Sequence, residues 1–180
     1  MQKQIALVPG DGIGPDIIRE TVEVLKAVGR RFRHTFCFTE CLAGGIAIDR
    51  YGTALPSSTL ETCQMSDAVL LGAVGGPKWD DMGGDERPEK ALLGLRAGLG
   101  LFCNLRPAVL FPQLRKACTL RPEIIGDELD LMVVRELTGG IYFGERGRSA
   151  AGDSAFDTMS YTVMEIERIT RMAFGIARKR

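Results

Sequence analysis

Apolar positions along the chain follow two alternating rhythms. The run Ile5-Ala6-Leu7-Val8-Pro9 is short and continuous, and it predicts a strand that ends on the turn Gly10-Asp11-Gly12-Ile13-Gly14-Pro15. Pro15 suits the first turn of a helix, and Ile18, Val22 and Leu25 then recur at helical spacing to about Gly29. Thr35 to Thr39 predicts a second strand, Gly44-Gly45 breaks the chain, and Pro56 to Met65 predicts a short helix. Asp67-Ala68-Val69-Leu70-Leu71-Gly72 has the unbroken apolar character of a strand covered on both faces. The polar, glycine-rich stretch Gly75 to Arg87 is the best candidate for a mobile functional loop. Pro88 to Leu99 is then helical, and Leu101 to Arg106 and Asp130 to Arg135 are strands. A hairpin region from Thr138 to Tyr161 follows, with its aromatics on extended pieces. Thr162-Val163-Met164-Glu165 is a capping box, and the helix it opens carries Ile166, Ile169 and Ala173 on one face.

Strands alternating with helices predict an α/β fold, a largely parallel sheet with flanking helices. The length, 180 residues, fits one large domain or two small ones. With 45% hydrophobic and 26% charged residues the chain is not disordered or of low complexity. Its 23 basic and 23 acidic side chains cancel, so no overall field draws it to nucleic acid or a membrane surface. No apolar run approaches the roughly 20 residues of a membrane span, and the start lacks a signal-peptide profile, so a soluble cytoplasmic protein is expected. Cys37, Cys41, Cys63, Cys103 and Cys118 are odd in number and form no C-x-x-C pair, which predicts reduced, mostly buried thiols. The single histidine, His34, and the cysteine spacing do not support a zinc site.

The glycine-rich turn carries proline at position 15, where a dinucleotide fingerprint has its last glycine. A structural turn is therefore favoured over a binding turn, although exposed N–H groups there could hold an anion. In the helix from Pro88, Glu89, Leu92, Leu93 and Arg96 stand at i, i+3, i+4 and i+7 and share one face. The plain alternative is a core stripe flanked by an ion pair. Arg106 and Arg135 each close a predicted strand, and ligands of open α/β sheets gather beyond the carboxyl ends of strands. Three arginines converging there would bind a small di-anion through forked bonds, and the leucines would meet an apolar branch on it. Tyr142 either packs the hairpin or serves as an acid beside a cation.

Five motifs in order carry a resemblance that runs from Ile5 to Arg180. They are Leu7-Val8-Pro9-Gly10-Asp11-Gly12-Ile13-Gly14-Pro15, Gly72-Ala73-Val74-Gly75-Gly76-Pro77-Lys78-Trp79, Leu92-Leu93-Gly94-Leu95-Arg96, Asn104-Leu105-Arg106-Pro107 and Val134-Arg135-Glu136-Leu137-Thr138-Gly139-Gly140-Ile141-Tyr142. Together they resemble the β-decarboxylating isocitrate/isopropylmalate dehydrogenases, and the isopropylmalate branch in particular. The resemblance implies oxidation of the 2-hydroxyl of 3-isopropylmalate by NAD, followed by loss of the β-carboxylate to give 4-methyl-2-oxopentanoate in leucine biosynthesis. It implies that Arg96, Arg106 and Arg135 bind the malate carboxylates, that Leu92 and Leu93 meet the isopropyl group, and that Tyr142 is the catalytic tyrosine that protonates the enolate. The stretch Gly75-Gly76-Pro77-Lys78-Trp79-Asp80-Asp81-Met82-Gly83-Gly84-Asp85-Glu86-Arg87-Pro88-Glu89 would line the NAD site.

The same resemblance divides the chain into a first α/β domain, 1–101, and a second, dimerising domain, 102–180, with a β-arm at about 138–161 that pairs in a homodimer. It places the catalytic lysine, the aspartates that bind magnesium or manganese, and the last strands of the first domain after Arg180, so that no metal ligands fall in this chain. The expected form is a truncated, two-domain fold that is inactive as it stands. A tartrate- or isocitrate-type dehydrogenase and a non-catalytic anion-binding subunit are the alternatives. Apolar Leu92-Leu93 disfavours isocitrate, whose third carboxylate requires a polar partner there.

Overall fold

A computed structural model describes residues 1–82, 87–126 and 128–180. The chain divides into two compact units, Met1–Gly100 and Leu101–Arg180. In the first unit, strand β1 (Gln2–Gly10) lies between β2 (Thr35–Glu40) and β3 (Ala68–Ala73), and both pair with it in parallel. Side chains alternate across a strand, and here both sides are covered. Ile5 and Leu7 pack against Ile18, Val22 and Leu25 of helix α1 (Gly14–Phe32). Ala6 and Val8 pack with Ala43, Ala54 and Cys63, and with Ala91 and Leu95. Cys63 belongs to α3 (Ser57–Gln64), and Ala91 and Leu95 to α4 (Glu89–Gly98). Burial on two faces explains why the β1 sequence is apolar without a break.

Two features of this unit differ from the sequence expectation. Strand β3 is half-buried because it lies at the edge of the three-stranded sheet, while the doubly covered strand is β1. The break at Gly44-Gly45 opens a helix, α2 (Gly45–Tyr51), whose first N–H groups are capped by a carboxylate far away in sequence. The glycines of the motif permit close approach. A Cβ on Gly14 would collide with the Pro9 carbonyl and stand 2.8 Å from the Ala73 nitrogen, so the first turn of α1 rests directly on the ends of two strands.

The second unit is built from antiparallel pairs, so the parallel sheet is confined to the first. Strand β4 (Cys103–Val109) pairs with β5 (Asp130–Glu136), and α5 (Pro122–Ile125) lies in the connection between them. A short hairpin joins β6 (Arg146–Arg148) to β7 (Ala155–Asp157). Helix α6 (Val163–Ala177) begins with the expected capping box: Glu165 N–H donates to Thr162 Oγ1 at 3.3 Å, and Thr162 N–H donates to the Glu165 carboxylate at 2.7 Å. The helix packs on β5, with Arg168, Ile169 and Ala173 half-buried. Ile166, expected on the same face, lies at its margin and is 53% exposed.

All five cysteines are free, and Cys63 alone among them is buried; the other four are half-exposed, contrary to the expectation of mostly buried thiols. Burial and the neighbouring Cys63 thiol push Cys41 up to about 12. His34 follows α1 and meets the Phe36 ring edge-on at 6.3 Å, a packing role. No helix among the described residues is long and apolar enough to cross a membrane.

Candidate active site

The glycine-rich turn is organised by its own aspartate. Asp11 is 4% exposed, and its Oδ2 accepts from Gly45 N–H at 2.7 Å and Gly75 N–H at 2.8 Å. Its Oδ1 accepts from Ile46 N–H at 2.7 Å, while its own N–H donates to the Ala73 carbonyl at 2.7 Å. One buried carboxylate thus ties the turn, the start of α2 and the segment after β3 together by charge-assisted bonds. The side chain of the turn is engaged with protein backbone.

The segment from Gly75 runs over α2. A Cβ on Gly75, whose φ is +94°, would stand 2.9 Å from Glu89 Oε1, so the Glu89 carboxylate lies against this glycine. Pro77–Trp79 form a 3₁₀ turn. The Trp79 ring covers Gly45, where any Cβ would strike it. Trp79 Nε1 and Lys78 Nζ donate to the Asp49 carboxylate at 3.3 and 2.5 Å. The bond from Lys78 holds the Asp49 carboxyl below the usual carboxylate range. Asp80, Asp81 and Met82 follow, and Arg87 Nε donates back to the Met82 carbonyl at 3.0 Å. Gly83, Gly84, Asp85 and Glu86 lie outside the described residues.

Helix α4 buries a face other than the one the sequence pattern marked. Its core face is formed by Ala91 and Leu95, with Pro88 buried at its start. Leu92 and Leu93 are half-buried and belong to neither core cluster. The face shared by Glu89, Leu92, Leu93 and Arg96 is therefore not a core stripe; it is turned away from Ala91 and Leu95 by the 3.6-residue period.

In the second unit the antiparallel register corrects the strand-end argument and replaces it. Arg106 stands mid-strand in β4 opposite Val133, and Arg135 stands near the end of β5 opposite Asn104. Directly opposed residues share a face, and so do residues two apart, which puts Arg106 and Arg135 on one face as diagonal neighbours about 7–8 Å apart. That face is exposed at Leu131, Val133 and Arg135, whereas Met132, Val134 and Glu136 alternate to the more covered side. The Arg135 guanidinium lies 5.3 Å from the centre of the Tyr142 ring. Tyr142 closes a 3₁₀ turn, Gly140–Tyr142, and is not on an extended piece as the hairpin pattern implied. The turn is fixed by Gly140 N–H donating to the Ser160 carbonyl at 2.9 Å and by Arg146 donating to the Ile141 and Tyr142 carbonyls at 2.9 and 3.3 Å.

Two residues given no role by the sequence, Glu136 within the fifth motif and Arg168 outside all five, hold the residues that lead into this turn. The Glu136 side chain is 8% exposed and accepts from Thr138 N–H and Gly139 N–H at 2.7 Å each. Arg168 of α6 donates to Glu136 Oε1 at 2.7 Å and to Thr138 Oγ1 at 2.5 Å, and it lies 4.7 Å over the Phe102 ring. Burial works to raise the Glu136 pKa, but the bonds from Arg168, Gly139 and Thr138 outweigh it and hold the carboxyl below its usual range.

The motif order and this geometry meet in the comparisons with known proteins. The isocitrate/isopropylmalate dehydrogenase family matches residues 4–180. The chain belongs to that family. A 3-isopropylmalate dehydrogenase of Clostridium acetobutylicum is 58% identical over 98% of this chain and 50% of its own length. One from Moorella thermoacetica is 59% identical over 98% of this chain and 50% of its own. Among solved structures, an isocitrate dehydrogenase of Methylococcus capsulatus superposes with a TM-score of 0.78 at 30% identity, covering 98% of this chain and 48% of its own. A β-decarboxylating dehydrogenase of Thermococcus kodakarensis gives 0.68 at 34% identity, covering 99% and 46%. The chain spans about half the length of the relatives it matches. Glu89, Leu92, Leu93 and Arg96 stand on one helix, and in the second unit Arg106 and Arg135 share a face of the β4–β5 pair, with Arg135 against the Tyr142 ring.

Proposed function

We propose that the chain is half of a 3-isopropylmalate dehydrogenase that oxidises and decarboxylates 3-isopropylmalate with NAD in leucine biosynthesis. The observation that supports this most directly is the pair Leu92–Leu93, half-buried outside the core on the helix that also carries Arg96. An apolar pair kept off the core beside a cation suits a small carboxylate that bears an aliphatic branch.

In this proposal Arg96, Arg106 and Arg135 hold the malate carboxylates, each charged bond contributing on the order of 1.5–3 kcal/mol. The segment from Gly75 to Glu89 lines NAD; the positive-φ glycine and the adjacent Glu89 carboxylate leave backbone and one acceptor toward it. NAD, when bound, would supply the acceptor for the C2 hydride, while the proton of the 2-hydroxyl would pass to the lysine base that the family resemblance places in the other half of the enzyme. Loss of the β-carboxylate then leaves an enolate, and the Tyr142 hydroxyl delivers its proton to C3. The Arg135 cation against the phenol ring stabilises the phenolate left behind. Among the described residues no three His, Cys, Asp or Glu side chains gather as a metal-ligating group. The magnesium or manganese of the proposed enzyme, and the placing of its ligands in the other half, rest on the family resemblance alone. The second unit serves homodimerisation in a cytoplasmic enzyme.

The test is product stoichiometry in the complete enzyme that includes these residues. Incubation with 3-isopropylmalate and NAD is expected to release carbon dioxide and NADH in equal amounts. NADH without carbon dioxide, or neither, would exclude the reaction.

A further inference from the structure

We infer that Arg168 and Glu136 are positioning residues for the Tyr142 phenol, an inference that rests on the proton-donor role proposed for Tyr142. Glu136 ends β5 beside Arg135, and its buried carboxylate accepts the N–H groups of Thr138 and Gly139, the residues that lead into the Gly140–Tyr142 turn. Arg168 reaches this carboxylate from α6 and bonds Thr138 Oγ1 with the same nitrogen, so one guanidinium fixes both the carboxylate and the residue it orients. The turn has little other freedom. A Cβ on Gly139 would stand 3.1 Å from the Glu165 carboxyl of the α6 capping box, and one on Gly140 would strike the Tyr161 hydroxyl. The phenol is thus placed by β5 on one side and by α6 on the other, and the Arg168–Glu136 pair joins the two.

The pair is costly as a stabilising device. Taking the Glu136 charge and much of the Arg168 side chain out of water opposes the gain from their attraction. Arg168 Nε is also buried with no hydrogen-bond partner among the described residues. An apolar pair would remove that unpartnered guanidinium nitrogen, but it would take away the acceptor of the Thr138 and Gly139 N–H groups. What an apolar pair could not do is accept two backbone N–H groups and hold the Thr138–Gly139 link in one orientation. Without Arg168, Glu136 becomes an uncompensated buried anion one residue from Arg135 and shifts or takes up a proton. Either response moves the turn on which Tyr142 sits and alters the relation of its ring to the Arg135 guanidinium.

The test uses the complete enzyme and four variants, Arg168→Met, Arg168→Lys, Glu136→Gln and Tyr142→Phe, followed by steady-state kinetics with thermal melting as a fold check. Arg168→Met is expected to lower kcat by about tenfold to a hundredfold while KM for 3-isopropylmalate stays within about threefold. Arg168→Lys, which keeps the charge but loses the planar fork, should recover part of that turnover. In a Tyr142→Phe background Arg168→Met should cost less than about twofold more, because the group it positions is already gone. A loss confined to KM or to melting temperature, or a full multiplicative loss in the Tyr142→Phe background, would overturn the inference. Unchanged turnover in Tyr142→Phe itself would remove the proton-donor role and this inference with it, whereas a slow Tyr142→Phe beside a fully active Arg168→Met would remove the inference alone. Should Arg168→Met fail to fold, Glu136→Gln in the two backgrounds carries the same comparison.

Discussion

Asp11 shows how much a single buried side chain decides. Its carboxylate satisfies three backbone N–H groups, one buried and two half-buried. A buried orphaned group costs about 1–3 kcal/mol, so Asp11→Ala should destabilise the first unit by about 1–3 kcal/mol or more in urea unfolding. Trp79, the sole tryptophan, lies over the α2 terminus that Asp11 caps, so its fluorescence should change even where the variant stays folded. A variant with unchanged stability and emission would contradict this role. Spacing placed Leu92, Leu93 and Arg96 on one helix face, whereas Arg106 was named on a strand-end argument that the antiparallel register replaces, and Tyr142 on a hairpin that is a 3₁₀ turn. Asp11, Glu136 and Arg168 were not legible as site-forming residues. Asp11 acts across 34 and 64 positions, and Arg168 reaches Glu136 across 32, so nothing local in their segments announces the contact. An acidic residue between two glycines, and another just ahead of Thr-Gly-Gly, were the available signals of carboxylates waiting for backbone N–H groups.

At the scale of elements, periodicity located β1, α1, β2, α3, α4, β5 and α6 close to their observed bounds. It misjudged what depends on neighbours: β3 is an edge strand, α2 begins at an apparent break, and Arg106 stands mid-strand because its partner strand is antiparallel. Local pattern carries no information about which strand lies alongside. The packing of elements also assigns opposite outcomes to the same substitution. A Cβ on Gly72 would collide with the Pro9 carbonyl and stand 2.8 Å from the Gly14 carbonyl oxygen, all backbone, so Gly72→Ala should cost about 1–3 kcal/mol. Gly175 in α6 has nothing within 4 Å, and Gly175→Ala should instead stabilise the chain by about 0.5–1 kcal/mol through helix propensity. Chemical unfolding of the two variants compares them directly; equal effects would contradict the packing described.

At the scale of the molecule, the second unit leaves many apolar side chains exposed. Val163, Met164, Ile166 and Phe174 of α6 are 53–74% exposed, and no residue of that helix is fully buried. Surfaces of this kind serve association, in keeping with the homodimer proposed and with relatives about twice as long. The central claim is that an apolar pair beside arginine selects a malate with an aliphatic branch. It is tested most directly by the ratio of kcat/KM for 3-isopropylmalate to that for isocitrate, measured with NAD in the complete enzyme. A buried apolar contact that would have to accept a carboxylate leaves that charge unpaired, so the ratio should exceed about a hundred, and Leu92→Ala together with Leu93→Ala should lower it. A ratio near one, or one favouring isocitrate, would contradict it.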